Sequence, residues 1–264
     1  MTKPLPLLLV SLFLAAAATV GVLAYGLGAP EATLLGPALV RSGDGARVAL
    51  TFDDGPSVPY TGQILDVLKR EHVRATFFLC GENAVAHPEL VRRILAEGHE
   101  IGNHTWSHPW LYLMSRERIA AEIDRTQDAL EKIAGRRPRL FRPPFGVRWF
   151  TLWPLLRERG LTMVMWSDRG YDGDRDAAGI ARATLGRLAP GAIILLHDGF
   201  ETRAPAEIDR SATVGALPAI IAGARRAGYE FGPVTPAADR PRPARPAANS
   251  VALKAAPPPI GLMR

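Results

Sequence analysis

Short apolar runs alternate with amphipathic helical periods between Arg47 and Phe231. The clearest runs are residues 48–52, 75–79, 161–166 and 192–196. Each is short and bounded by polar or turn residues, as buried strands are. Weaker candidates occupy 100–103, 139–142 and 229–231. Residues 61–71 carry Ile64, Leu65, Val67 and Leu68 at helical spacing, and 88–96 carry Leu90, Val91, Ile94 and Leu95. The longest helix spans 115–134. Ser115 is its N-cap, Arg118 stands where a capping-box Glu would serve better, and Gly135 stops it. Strands alternating with helices predict an α/β fold, with parallel strands inside and helices outside. Seven such units predict a closed or nearly closed barrel, whose chemistry sits at the carboxyl ends of the strands. No internal repeat interrupts the pattern.

Both ends depart from it. Residues 5–27 hold no charge, and as a helix they would reach roughly 34 Å, enough for a hydrocarbon core. Lys3 precedes the stretch, which sets the N-terminus inside and the body outside. The rival reading is a cleaved signal peptide with its apolar core at 5–14 and small residues at 15–18. Cleavage there would strand an apolar 20–27 on the mature end, so an uncleaved anchor is preferred. A buried N-terminal helix is the third reading, and the length argues against it. From Pro233 the chain becomes rich in Pro, Ala and Arg and is read as a disordered tail. The expected organisation is a membrane anchor or signal peptide at 1–30, a central α/β domain at 46–232 and a Pro/Ala/Arg-rich tail at 233–264.

Composition changes little in this picture. With 47% hydrophobic and 22% charged residues, the chain is ordinary globular material. Its +6 charge loses its meaning once located, because five basic residues and one acidic lie in the tail. The nearly neutral domain offers no field for nucleic acid. The one cysteine, Cys80, excludes a disulfide scaffold and a cysteine-rich zinc ribbon.

Charge placement along the strands is more telling. Run 48–52 ends in Asp53-Asp54-Gly55-Pro56, and run 100–103 in His104-Thr105-Trp106-Ser107-His108-Pro109. Run 139–142 ends in Arg142-Pro143-Pro144-Phe145-Gly146. Run 161–166 leads into a stretch holding Asp168 and Asp172, and run 192–196 ends in His197-Asp198. Each alone has a plain structural reading: a turn, surface histidines, a rigid Pro-Pro corner, a core histidine. Five at five successive strand ends deliver acids, histidines and an arginine to one rim. On a helical turn, histidines four apart share one face, which suits a divalent metal. No His-Glu-x-x-His glutamate is present, so a base must come from elsewhere, with Asp53 or Asp54 nearest by topology.

These motifs, in this order and spacing, resemble those of the polysaccharide deacetylases, the NodB-homology enzymes of carbohydrate esterase family 4, over roughly 46–232. The resemblance implies a distorted (β/α) barrel of seven strands, a divalent metal (zinc expected) and hydrolysis of N- or O-acetyl groups on a sugar polymer. By position, Asp54, His104 and His108 match the metal ligands, Asp53 the catalytic base and His197 the general acid. Arg142 matches the arginine that orients the base, and Asp172 the carboxylate supporting the acid. The backbone of Phe145, with Pro143 beside it, matches the oxyanion and substrate position. One departure is Gly173, where members often carry tryptophan after the motif aspartate; Asp168 and Asp174 are the alternatives to Asp172. Another is the apolar Trp110 and Tyr112, which either stack on a sugar face or pack the loop. The competing functions are a lipid-linked sugar or small amide as substrate, a non-catalytic carbohydrate binder, and a tethered scaffold acting through the tail.

Overall fold

The computed structural model describes residues 5–42, 45–170, 172–173, 175–199 and 209–235. Eight strands, all pairing in parallel, form one curled sheet within the described chain. They are β1 (Arg47–Asp53), β2 (Thr76–Leu79), β3 (Glu100–Asn103), β4 (Leu140–Phe141), β5 (Thr162–Met163), β6 (Asp168–Arg169), β7 (Ile193–His197) and β8 (Glu230–Phe231). The spatial order is β5-β4-β3-β2-β1-β7-β6, with β8 pairing off this path to the start of β1. The helices are α1 (Leu5–Gly28), α2 (Tyr60–Arg70), α3 (Gly81–Ala86), α4 (Pro88–Ala96), α5 (Arg116–Ala134), α6 (Leu152–Glu158), α7 (Ala177–Leu185) and α8 (Ser211–Arg226).

Period-2 alternation separates two faces of the sheet. On β1, Val48, Leu50 and Phe52 join Ile64, Leu65 and Leu68 of α2 and Leu217, Ile220 and Ile221 of α8 in one core. Ala49 points the other way, into a second core with Phe78, Phe141, Met163 and Leu195 inside the curl. On β7, Ile194 and Leu196 belong to the first core and Ile193 and Leu195 to the second. The residues that continue the inner face upward are Thr51 and Asp53 on β1 and His197 on β7. In register Asp53 lies directly beside His197.

The predicted barrel is present but imperfectly closed. The run at 161–166 supplies only β5 to the sheet, and the chain beyond it reaches the opposite edge as β6. β5 pairs with β4, β6 pairs with β7, and residues 164–167 carry the chain across the seam between them. Val164 N–H still bonds the Phe141 carbonyl at 2.8 Å, and Ser167 N–H the Ile193 carbonyl at 3.1 Å. At the amino end, residues 39–42 fill the seam. Leu39 exchanges backbone bonds with Met163 and Met165, at 2.8 and 2.9 Å, and Ser42 N–H bonds Gly191 O.

Packing extends past both compositional breaks. Ala32, Leu35 and Ser42 are buried ahead of residue 46, and Val234 is fully buried, its N–H on Thr76 Oγ1. Residues 236–264, most of the expected tail, lie outside the described residues. Along α1, Leu9–Gly28 is long and apolar enough to cross a membrane and is 6% buried within the protein. Its C-terminal end is tied down by the buried Arg148, whose N–H bonds Leu27 O and whose guanidinium donates to the carbonyls of Ala29 and Ala32. Ser115 and Gly135 cap α5 as expected, Gly135 in the left-handed conformation at φ 72°.

The strand leading to the first histidine has no spare room. A Cβ at Gly102 would overlap the Phe78 ring and sit 3.3 Å from Leu140 Cβ. Gly102→Ala is therefore expected to lose about 1–3 kcal/mol of stability by overpacking, read as a lower urea midpoint at unchanged slope.

Candidate active site

The inner-face residues at the carboxyl end surround a cavity of about 200 Å³, lined by Asp53, Asp54, His104, His108, Phe145, Gly146, Trp166, Arg169, Leu195 and His197. Asp53 ends β1 and faces inward, where Oδ1 accepts from Arg142 Nη1 at 2.6 Å. Asp54 follows with a left-handed φ of 75°, which turns its side chain away from the strand direction. Asp54 Oδ1 lies 3.3 Å from both His104 Nε2 and His108 Nε2. Two adjacent carboxylates thus enter different environments, one on a guanidinium and one between imidazoles. Left-handed backbone is uncommon for residues with a Cβ and concentrates at functional positions. Among the described residues it occurs at Asp54, Thr105, His108 and Phe145, all at this rim, and otherwise at His72.

The two histidines converge by a route the sequence did not indicate. Residues 104–109 form no helical turn. They make a bend, with Thr105 at φ 69° and His108 at φ 54°. Glu122 of α5 holds it: Oε2 accepts from Trp106 N–H at 2.8 Å and Ser107 N–H at 2.9 Å, and Oε1 from the Ser107 hydroxyl. Trp106 Nε1 donates to Glu82, and Arg125 lies 3.6 Å from the Trp106 ring centroid. Thr105 Oγ1 accepts from His108 N–H. Nothing in the sequence marks Glu122, because helical spacing shows it only as a polar position on α5.

The donor set fits a divalent metal. One ligand atom each from Asp54, His104 and His108 lies within 4.8 Å of the others. His104 Nδ1 is 2.7 Å from the Arg142 carbonyl, which fixes the tautomer and leaves Nε2 as ligand. Burial alone would raise Asp54, but the hydrogen bond from His104 and the surrounding imidazoles hold it well below the usual carboxylate range. Burial and the neighbouring His104 push His108 down to about 3. His104 moves the other way: burial opposes its charge, but Asp53 and Asp54 outweigh that and raise it.

Opposite this cluster, His197 Nδ1 lies 2.8 Å from Asp172 Oδ1, while its N–H donates to Asp172 Oδ2 at 2.7 Å. Thr213 Oγ1 also donates to that carboxylate, and Arg210 Nη1 to the Asp172 carbonyl. Burial would lower His197, but the Asp172 charge and hydrogen bond reverse this and raise it to about 9. Of the alternatives to Asp172, Asp168 pairs in register with Ile194, whose side chain faces the outer core, and its burial pushes it up to about 6. Asp174 lies outside the described residues.

Three further predicted residues take lesser positions. Phe145 stands at φ 56° in a 3₁₀ turn (Pro144–Gly146), its ring 4.5 Å from that of His108. Pro143 precedes the turn without lining the cavity. Trp110 stacks on Phe145 at 3.5 Å, and Tyr112 packs on Trp110 and Trp149. Both are about two-fifths exposed and neither lines the cavity, so loop packing occupies at least part of each ring. Gly146 is required where it is, since a Cβ there would overlap Trp166. Beneath the aspartates, fully buried Asp198 pins their turn. Its N–H bonds the Asp53 carbonyl, Oδ2 accepts from Thr61 Oγ1 at 2.5 Å, and its carbonyl accepts from Ser57 Oγ. Gly55 faces that carboxylate with no space for a side chain. Burial pushes Asp198 up to about 7.

The model of the family described as polysaccharide deacetylase matches residues 41–164. A chitooligosaccharide deacetylase of Bradyrhizobium sp. (strain ANU 289) is 37% identical over 193 residues, 71% of this chain and 88% of the relative. This chain belongs to the polysaccharide deacetylase family. A peptidoglycan-N-acetylglucosamine deacetylase of Bacillus cereus is 43% identical over 159 residues, 58% of this chain. That match spans 56% of the relative, little more than half its length. Among solved structures, a peptidoglycan N-acetylglucosamine deacetylase in complex with 4-naphthalen-1-yl-N-oxidanyl-benzamide superposes with a TM-score of 0.68 at 37% identity. It covers 74% of this chain and 89% of that one. The family's curled parallel sheet is the architecture seen here.

Equilibrium dialysis against zinc is expected to give one tight equivalent on the native chain. His104→Ala or His108→Ala should abolish it. Glu122→Gln should weaken it about 10- to 100-fold although Glu122 touches no donor atom, the usual cost of loosening what orients a ligand.

Proposed function

We propose that the protein is a metal-dependent hydrolase that removes N-acetyl groups from sugar residues of a cell-wall or exported polysaccharide. In this reading α1 holds it at a membrane and the catalytic domain lies outside the cytoplasm. One observation carries the reading. Asp53 and His197 stand side by side in register on β1 and β7, each held by its own buried partner, with Asp54, His104 and His108 beside them. Loss of a ligand or of the acid would favour a non-catalytic binder, whereas all five residues are present. Family membership and the relatives' names support the reaction class. The length and exposure of α1 support the anchor.

Asp54, His104 and His108 would hold the ion, and two imidazoles with one carboxylate suit zinc. The ion would supply Lewis acidity to the acetyl carbonyl. The rest falls to the chain. Asp53 is aimed by Arg142 and accepts a proton from the attacking water. The water oxygen adds to the acetyl carbon, and the C–N bond then breaks. His197, protonated through Asp172, gives its proton to the leaving nitrogen, so the products are a free amine and acetate. An amide needs that proton because an unprotonated amine leaves poorly. The Phe145 turn places backbone at the cavity wall, where it can meet the carbonyl oxygen as charge develops there.

Acetate release from chitooligosaccharides, peptidoglycan and acetylxylan tests the class. N-acetylated glycans should be turned over in a metal-dependent way, and no release from any of them would contradict it. His197→Ala should lose N-deacetylation by several orders of magnitude. It should retain far more activity on an activated aryl acetate, whose leaving group hardly needs a proton. Asp172 holds the His197 pKa up, so Asp172→Asn lowers it, and the alkaline limb of the pH–rate profile moves to lower pH. An unmoved limb would remove Asp172 from the role.

A further inference from the structure

Almost every charged side chain lining the cavity has its partner inside the protein. Asp53 has Arg142, Asp54 has the two histidines, and His197 has Asp172. Arg169 is the exception: its guanidinium makes no ion pair or hydrogen bond among the described residues, and its one contact is aromatic, 5.6 Å from the Trp166 ring centroid. Its position is not accidental. β6 pairs with β7 so that Arg169 lies beside Leu195, on the inner face and two residues before His197, while Asp168 beside Ile194 points outward. The next residue is fixed tightly. Gly170 N–H bonds the Leu195 carbonyl, and a Cβ at Gly170 would overlap Leu196. The guanidinium is thus delivered to the wall of the cavity that also holds the aspartates and His197.

Arg169 is exposed where it borders the cavity, and a planar guanidinium with open donors binds carboxylate or phosphate through two parallel hydrogen bonds. The cavity, at about 200 Å³, is below the roughly 300–1,000 Å³ of pockets that enclose drug-sized ligands. It admits the reacting edge of one sugar, so an anion that reaches Arg169 belongs to the same ring as the acetamido group. We infer that the cavity selects an N-acetylated sugar carrying an oxyanion on a position next to the acetamido carbon, with Arg169 as the anion's ligand. Two chemistries meet this description. One is a carboxylate borne on an ether at position 3, as on a wall sugar; the other is a phosphate at position 1, as on a lipid-linked sugar. The inference rests on the deacetylase reading and narrows its substrate.

The test uses the full-length, zinc-loaded protein and kcat/KM for acetate release on three probes. They are di-N-acetylchitobiose, the N-acetylglucosaminyl-N-acetylmuramic acid disaccharide and N-acetylglucosamine 1-phosphate. Mass spectrometry of the disaccharides locates the new amine. At least one anionic probe should exceed the neutral one by tenfold or more, with the amine on the carboxylate-bearing ring in the disaccharide. The winning arm names the source of the anion. Arg169→Gln should cut that ratio at least tenfold, and Arg169→Lys should keep part of it. A neutral probe that matches or beats both anionic ones overturns the inference. So does an Arg169→Gln variant that loses activity on all three by the same factor, which would mark a structural role. If no probe releases acetate, the deacetylase reading itself fails and this inference with it.

Discussion

The guanidinium of Arg142 has no access to solvent, and much of the site is arranged around satisfying it. It donates to Asp53 Oδ1 and Thr51 Oγ1 on β1, and to the carbonyls of Val164 and Met165 on the seam. It also lies 4.1 Å from the Phe78 ring centroid. One side chain thereby ties β1 to the seam at residues 164–165. A buried charge without its partner costs about 3–5 kcal/mol. The pair therefore constrains both ends: Asp53 must face inward, and residues 164–165 must present their carbonyls. The Arg142 carbonyl meanwhile fixes the His104 ring. The groups proposed for base and metal are thus oriented from one residue.

The second constraint is that neighbouring aspartates serve different partners. In an extended strand, successive side chains already point to opposite faces, and Asp54 would point at the outer core. A left-handed backbone at Asp54 sends it to the histidines instead. That conformation is held by the turn below it, where Gly55 leaves room for the Asp198 carboxylate and Thr61 satisfies it. The bend at 104–108 is held in the same way, by Glu122 accepting three hydrogen bonds from a loop with two left-handed residues. In both places the local conformation is unfavourable by itself, and buried polar contacts from a distant element keep it. This is why residues that touch no substrate matter to the geometry.

Much of this was legible from the chain. Apolar runs located β1, β2, β3, β4, β7 and β8, and the polar residues just beyond five runs located the rim. The family resemblance matched Asp172, with Asp168 and Asp174 as alternatives, to the carboxylate beside the acid, and Asp172 lies 2.8 Å from His197 Nδ1. What escaped detection was long-range. The run at 161–166 reads as one strand from its apolar residues; the curl of the sheet limits its pairing with β4 to 162–163 and sends the chain on to the opposite edge as β6. Histidines four apart suggest a helix, and the bend that replaces it depends on Glu122, which is anonymous on α5. The expected domain began at residue 46, yet Leu39 and Ser42 ahead of it complete the seam. No sequence signal singles out Arg169; its register with Leu195 places it on the inner face.

The account's central claim is that Asp53 and Asp54, adjacent in sequence, have separate tasks because the backbone between them turns. The most direct measurement compares zinc content and N-deacetylation in Asp53→Asn and Asp54→Asn prepared in parallel. The account predicts that Asp53→Asn keeps its zinc while turnover falls by on the order of a hundredfold or more. Asp54→Asn should lose zinc and turnover together. Two variants alike in both measurements, or an Asp53→Asn enzyme that turns over at the native rate, would contradict it.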